Sequence, residues 1–296
     1  AALRSVARLD LDRFLSSLPP SCPRGLAVMI DHNLGGGTNL YREHWIRQRR
    51  LAGELVILLY YDFKTLAYYL RYLDEGHDEI LSVDSLETVV ILTAALTPKA
   101  IFVNHTYSWF DDSLVLAEAL PYLKHVTGAQ LSMATHDYFT ICPSLRLLDD
   151  GGRFCGVPAI ARCRECLPNI RTEIRSLVGC HDIDRWRTLW GRCLDEATTV
   201  LCFSRTSIDL LRRAYPYLAP DKFVLQPHTV DYLPEVPVRL PLDEPLNIGV
   251  VGIISEAKGA GIVREMARLI HHRRSSARIT VIGAIDDAPE SEILRL

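Results

Sequence analysis

Short apolar runs rich in β-branched residues alternate along the chain with longer amphipathic stretches, a rhythm that predicts strands alternating with helices. LAVMI (26–30), ELVILLYY (54–61), AIFVNH (100–105), AQLSMATHD (129–137), TTVLCFS (198–204) and KFVLQP (222–227) read as strands buried on both faces. Asn39–Leu51, Ser85–Leu96, Ser113–Lys124, Ile183–Glu196 and Ser207–Ala214 read as the intervening helices. Residues 1–24 suggest a short helix and a link through Pro19, Pro20 and Pro23, while 62–83 fit either a helix or a hairpin insertion. A Cys-bearing loop is expected over 140–168. Pro234, Pro237, Pro241 and Pro245 make 231–245 a stiff connector. After it, LNIGVVG (246–252), a helix and ARITVIG (277–283) open a second strand–helix unit. The expected organisation is an α/β, Rossmann-type parallel-sheet domain over 1–240 and the beginning of a second over 241–296, which ends too soon to close.

Ligands of parallel sheets bind at the carboxyl ends of the strands. The polar residues that follow strands here are Asp31–Thr38, Asn104–Thr106, His136–Asp137, Ser204, His228 and Ser255–Lys258, and they are expected to share one rim. Gly35-Gly36-Gly37-Thr38 joins a strand to a helix, where missing side chains let backbone N–H groups approach a diphosphate. The spacing is not the GxGxxG of dinucleotide enzymes, and a plain tight turn is the competing explanation. His136 is either a site residue or a histidine satisfied by nearby backbone; Asp137 and Asp31 are the base candidates should a proton have to be taken. Lys258, beside Gly259 at a helix start, would offset charge on a departing diphosphate, and Ser255 either donates to it or caps the helix.

Composition narrows the field. With 296 residues, 48% of them hydrophobic, one large core or two modest ones can form. Lys+Arg 33 against Asp+Glu 36 leaves a net charge of -3, which argues against a nucleic-acid partner. No apolar run approaches the roughly 20 residues of a membrane span, and the opening AALRSVARLDLDRF is broken by charges, unlike a secretory leader. A cytoplasmic setting follows, with reduced thiols or a metal site in preference to a disulfide framework. Cys142, Cys155, Cys163 and Cys166 fall in one segment, and the C-x-x-C at its end suits two ligands of a structural zinc that the other two would complete. Free thiols and a disulfide remain open alternatives there, whereas Cys22, Cys180, Cys193 and Cys202 read as ordinary cysteines. YREHWIRQRR (41–50) is either a helix that meets anionic lipid at the inner face of the membrane or a solvated helix with Trp45 packed inward.

Five segments in order resemble the retaining, family-4-type glycosyltransferases of the GT-B fold, over about Leu26 to Gly283. The Gly35–Gly37 turn resembles that family's first loop, and THDYFTICP is similar to a segment of a subset that builds bacterial polysaccharides. LCFSRTSIDLLRR, VLQPHTVD and VGIISEAKG resemble the strand–Ser–helix, the V-x-P-N-G-V-D linker and the G-R-L-x-x-x-K-G donor loop. The resemblance implies two Rossmann-like domains across a cleft and transfer of a sugar from a nucleotide-sugar to a saccharide or lipid-linked acceptor, without a catalytic metal. It implies that His136 faces the donor sugar, with Asp137 and its backbone alongside. Gly35, Gly36, Gly37, Thr38, Ser255 and Lys258 would hold the donor diphosphate. Two positions depart from the pattern: Ile253 stands where the donor loop has Arg, and His228-Thr229 replaces Asn-Gly. The Glu-bearing segment that grips the donor would follow Leu296, so this chain alone is expected to be nearly inactive. A UDP-sugar epimerase of the same fold and a non-catalytic carbohydrate-binding scaffold are the rival readings.

Overall fold

A computed structural model describes residues 8–19, 24–74, 77–170, 178–228, 245–255 and 258–283. Cys22, Pro20, Pro23, Thr229, Pro234, Pro237 and Pro241 lie outside the described residues. The chain divides into two compact units, Ala1–Thr229 and Val230–Leu296, so the division falls just ahead of the proline-rich connector.

The first unit is α/β, with one large, mostly parallel sheet covered by helices. Its elements are α1 (Arg8–Ser17), β1 (Leu26–His32), α2 (Gly37–Leu51), β2 (Leu55–Asp62), β3 (Ala67–Asp74), β4 (His77–Val83), α3 (Leu86–Ala95) and β5 (Ala100–Val103). They continue as α4 (Asp112–Thr127), β6 (Gln130–Thr135), α5 (Ile160–Cys166), α6 (Ile183–Glu196), β7 (Thr199–Cys202), α7 (Arg205–Ala214) and β8 (Phe223–Leu225). The eight strands run in the order β4-β3-β2-β1-β5-β6-β7-β8. The ambiguous stretch 62–83 is a hairpin: β3 and β4 extend the β2 edge antiparallel, with Tyr68, Leu70 and Tyr72 buried at period two. The Cys-bearing segment expected as loop also contains a short helix, α5, and an isolated Leu148–Phe154 bridge.

Strand β1 shows why the run LAVMI is apolar throughout. Val28 and Ile30 join the larger core cluster with Ile57, Leu59, Ile101 and Leu131, while Ala27 and Met29 join a smaller one with Trp45, Ile46, Val56 and Phe102. Both faces are therefore buried, as a parallel sheet requires. Helix α2 lies over the smaller cluster; α3, α4 and α6 contribute Val89, Leu120, Trp186 and Trp190 to the larger. Gly191 on α6 lets Tyr215 and Tyr217 close onto the helix: a Cβ there would lie 2.9 Å from Tyr215 Cδ1. Ser85, Asp182 and Ser204 cap α3, α6 and α7 by accepting backbone N–H bonds in the first turn.

The chain passes from β1 outward to β2 on one side and returns to β5 on the other. Strand order reverses between β1 and β5, and an open α/β sheet forms its ligand crevice at such a reversal.

The second unit pairs β9 (Asn247–Val251) with β10 (Arg278–Ile282) in parallel and connects them through α8 (Ala260–His272). Gly283 requires its missing side chain, because a Cβ would meet the Gly252 backbone. No helix among the described residues is long and apolar enough to cross a membrane.

Candidate functional site

The carboxyl ends of β1, β5, β6 and β8 bring Asp31 and His32, Asn104 and His105, His136 and Asp137, and His228 to one end of the first unit. Gly35 and Gly36, with φ of 83° and 86°, form the turn into α2, and Gly37 and Thr38 are its first residues. Nothing lies within 4 Å of a Cβ added at these three glycines, so backbone conformation at the first two, not crowding, calls for glycine. Asn39 holds the turn from inside: its Oδ1 accepts the Gly35 N–H, and its Nδ2 donates to Asp31 Oδ2 at 3.1 Å and to the His32 carbonyl at 2.9 Å.

A chain of hydrogen bonds links His136 to this turn. The Asn104 Nδ2 donates to the Thr38 carbonyl at 3.1 Å, which fixes the amide so that Oδ1 faces His136 Nε2 at 2.8 Å. An amide oxygen only accepts, so Nε2 carries the proton and Nδ1 keeps the lone pair. Burial pulls the His136 pKa down to about 3, reinforced by His105, so the ring is neutral. Its face stacks on Phe203 (4.4 Å between centroids), Phe203 stacks on His228 (4.0 Å), and Tyr41 meets all three rings edge-on.

Asp137 makes a different pairing. Its Oδ2 accepts from His105 Nε2, and its Oδ1 accepts the Phe139 N–H at 2.8 Å. The Tyr107 N–H points at His105 Nδ1 from 3.0 Å, so the neutral ring presents Nε2–H to the carboxylate. Burial disfavours the His105 imidazolium, yet the Asp137 charge and hydrogen bond outweigh it and the net direction of its pKa is upward. A proton on Nδ1 would sacrifice the Tyr107 bond, and that bond favours the neutral tautomer. Behind this pair lies a cavity of about 20 Å³ lined in part by Thr140 and Trp190, whose Oγ1 and Nε1 have no hydrogen-bond partner among the described residues.

Asp31 is fully buried beside Arg42, whose Nη1 lies 3.4 Å from Oδ2, while Oδ1 has no hydrogen-bond partner among the described residues. Burial pushes its carboxyl up to about 6, against the opposing pull of the His32 backbone, Arg42 and Asn104. His32 next to it is depressed to about 3, chiefly by burial.

Other expected residues lie elsewhere. Ser255 and Lys258 belong to the second unit, where the Ser255 carbonyl accepts the Lys258 and Ala260 N–H groups; Ser255 is buried and Lys258 exposed. Cys142, Cys155, Cys163 and Cys166 line a separate cavity of the first unit, of about 290 Å³. Among the described residues no group of three or more His, Cys, Asp or Glu stands close enough to hold a metal ion, and every described cysteine is free of a disulfide. In the basic stretch 41–50, Trp45 packs inward on Phe102, while Arg42, Arg49 and Arg50 engage Asp31, Glu54 and Asp74.

Sequence reasoning missed the His105–Asp137 pair, the aromatic cluster and the inward turn of Arg42. The polar run Asn104–Thr106 after β5 was the available signal for His105; nothing local marks Arg42 as buried. Comparison of the sequence with protein-family models and with curated proteins finds no match.

Proposed function

We propose that the chain belongs to a glycosyltransferase of GT-B type that moves a sugar from a nucleotide-sugar to a saccharide or lipid-linked acceptor, with retention. One observation carries the reading: the His136–Asn104–Thr38 hydrogen-bond chain ties a neutral strand-end histidine to the glycine turn at the start of α2. A helix N-terminus with unobstructed backbone suits phosphate oxygens. Neutral imidazole, amide and carboxylate groups beside exposed ring edges suit sugar hydroxyls and the C–H face of a pyranose. In this reading Gly35–Thr38 takes an anionic group and His136 and Asp137 contact the sugar.

The electrostatics favour retention over inversion. An imidazole with its pKa near 3 is a poor acceptor for a hydroxyl proton at neutral pH. Both Asp137 oxygens already accept hydrogen bonds, and Asp31, the better matched at about 6, is fully buried. In the front-face route the departing phosphate takes the acceptor's proton, which removes the need for a protein base.

A non-catalytic, sugar-binding role has one observation in its favour: Ile253 is half exposed, so a site where the resembled family carries Arg is open to solvent yet uncharged. Calorimetry with UDP-, GDP- and dTDP-hexoses tests both readings. A transferase binds one of them with a Kd that rises roughly tenfold or more in His136→Ala and releases nucleoside diphosphate when an acceptor is added to the full-length protein. A scaffold binds saccharide without turnover. Failure to bind any nucleotide-sugar or nucleoside diphosphate sinks the transferase.

A further inference from the structure

The cavity of about 290 Å³ in the first unit shares no lining residue with the one behind His105 and Asp137. Its wall is mostly apolar. Leu147, Leu167, Ile170 and Ile183 line it and are themselves buried, and Leu148 and Phe154 line it from the two sides of their isolated bridge. The cysteines of the wall are neutral thiols: burial raises Cys142, Cys155 and Cys166, and the Cys163 thiol donates to the Pro158 carbonyl at 3.9 Å. A neutral thiol packs as a small hydrophobe. Phe154 is 60% exposed, so the cavity meets solvent beside an aromatic ring. At about 30 Å³ for each water-sized group in a liquid, the space takes roughly ten non-hydrogen atoms or more.

Charge on this wall is uneven. Arg153, Arg162 and Arg187 line the cavity with a single carboxylate, Asp149, whose Oδ1 accepts the Gly151 and Arg153 N–H groups of its own turn at 2.9 Å. Arg153 is exposed, so water solvates its charge, and Arg162 is held by Asp150. Asp184, one turn before Arg187, is held by Arg164 at 2.6 and 2.8 Å. Arg187 is half-buried and makes no ion pair among the described residues. Its Nε donates to the Ile141 carbonyl at 3.3 Å and its Nη2 to Cys163 Sγ at 3.4 Å, and neither acceptor is charged. Both Nη1 hydrogens and one on Nη2 have no acceptor among the described residues, and they form the end of the fork that meets a carboxylate through two parallel bonds. A half-buried cation without counter-charge is costly, and an anion in the cavity offsets that cost.

We propose that this cavity binds a monocarboxylate with an apolar body, its carboxylate on Arg187 and its body against Leu147, Leu167, Ile170 and Ile183. One guanidinium without a partner matches one negative charge, and the planar head matches the fork. The body displaces water from a wall that offers water few hydrogen bonds, which is the usual make-up of a small-molecule site: apolar lining with a few placed polar groups. The site does not depend on sugar transfer, because none of His136, Asp137 and Asn104 lines it.

The test uses the whole chain with octanoate as the probe, octanol as a body without charge and acetate as a charge without body. Calorimetry is expected to show octanoate binding with a Kd below about 1 mM, and octanol and acetate each binding weaker by roughly tenfold or more. Arg187→Met keeps an unbranched side chain and removes the charge; it should weaken octanoate roughly tenfold and leave octanol unchanged. In methyl-labelled spectra octanoate should shift Leu147, Leu167, Ile170 and Ile183, and leave Val103 and Met133 of the other cavity in place. No octanoate binding, octanol or acetate binding as tightly as octanoate, or undiminished octanoate binding in Arg187→Met each overturns the proposal, and so do shifts confined to residues outside the cavity. If Arg187→Met does not fold, the three probes and the methyl shifts of the wild-type chain decide.

Discussion

His32 and His136 are held neutral by burial, each with a pKa near 3 against an ordinary 6.5. The unfolded chain takes up protons at these positions below about pH 6.5, and the folded chain does so only near 3. Their stabilising contribution is therefore complete above pH 6.5 and is lost as the pH falls toward 3, at up to about 1.4 kcal/mol per pH unit for each ring. His136→Gln keeps an N–H for Asn104 Oδ1 and does not titrate. Urea denaturation between pH 4 and 7 should show a shallower loss of stability for this variant; parallel curves would contradict the burial argument. Asp31 acts in the opposite sense. Its folded pKa of about 6 lies above the ordinary 3.8, so its contribution is complete below 3.8 and is lost as the pH rises through 6. Asp31→Asn removes that penalty while Arg42 retains Glu43 and the His32 carbonyl. At pH 8 the variant should be more stable by about 1–2 kcal/mol, and a less stable variant would mean that Arg42 needs the Asp31 charge more than burial opposes it.

At the level of elements, Gly191 is the most constrained position of α6, because its missing side chain admits Tyr215 and Tyr217. Gly191→Ala would ordinarily stabilise a helix interior by up to ~1 kcal/mol; here the overpacking should win and destabilise the protein by about 2 kcal/mol or more. Thermal unfolding measures it, and a rise in Tm would show that the two tyrosines move aside freely. Strands β1 and β2 were legible in the sequence because both of their faces are buried, so LAVMI and LVILLYY are apolar without interruption. The hairpin was legible only as one of two alternatives, because β4 reads HDEILSV, with only Leu81 and Val83 buried, and its charges conceal the period of two. The site divides the same way. His136 and Asp137 were visible as polar residues ending a strand, but the partner of each, Asn104 and His105, is 32 residues distant and is supplied only by sheet order. The basic stretch around Arg42 points to a surface helix, whereas its burial depends on Asp31 across the β1–α2 turn.

At the scale of the whole molecule, the two units contribute unequally to folding. Both hydrophobic core clusters lie within the first unit, as do all eight strands of the large sheet. The second unit, among its described residues, buries only Ile254, Ser255, Ala260 and Val263, while Val251 is 78% and Ile262 68% exposed. The strands and helix among its described residues bury too little apolar surface to offset the ~1–2 kcal/mol of entropy lost per ordered residue. Residues 1–229 expressed alone should therefore fold cooperatively, with a Tm within about 4 °C of the main transition of the full chain, a difference of ~1 kcal/mol for a domain of this size. Residues 230–296 alone should show no cooperative unfolding by circular dichroism. A folded 230–296 peptide would mean that its apolar residues bury one another in a way the described strands and helix do not provide. A first unit that collapses on its own would mean that the second contributes to its stability, and that the sheet and the helices on its two faces do not suffice.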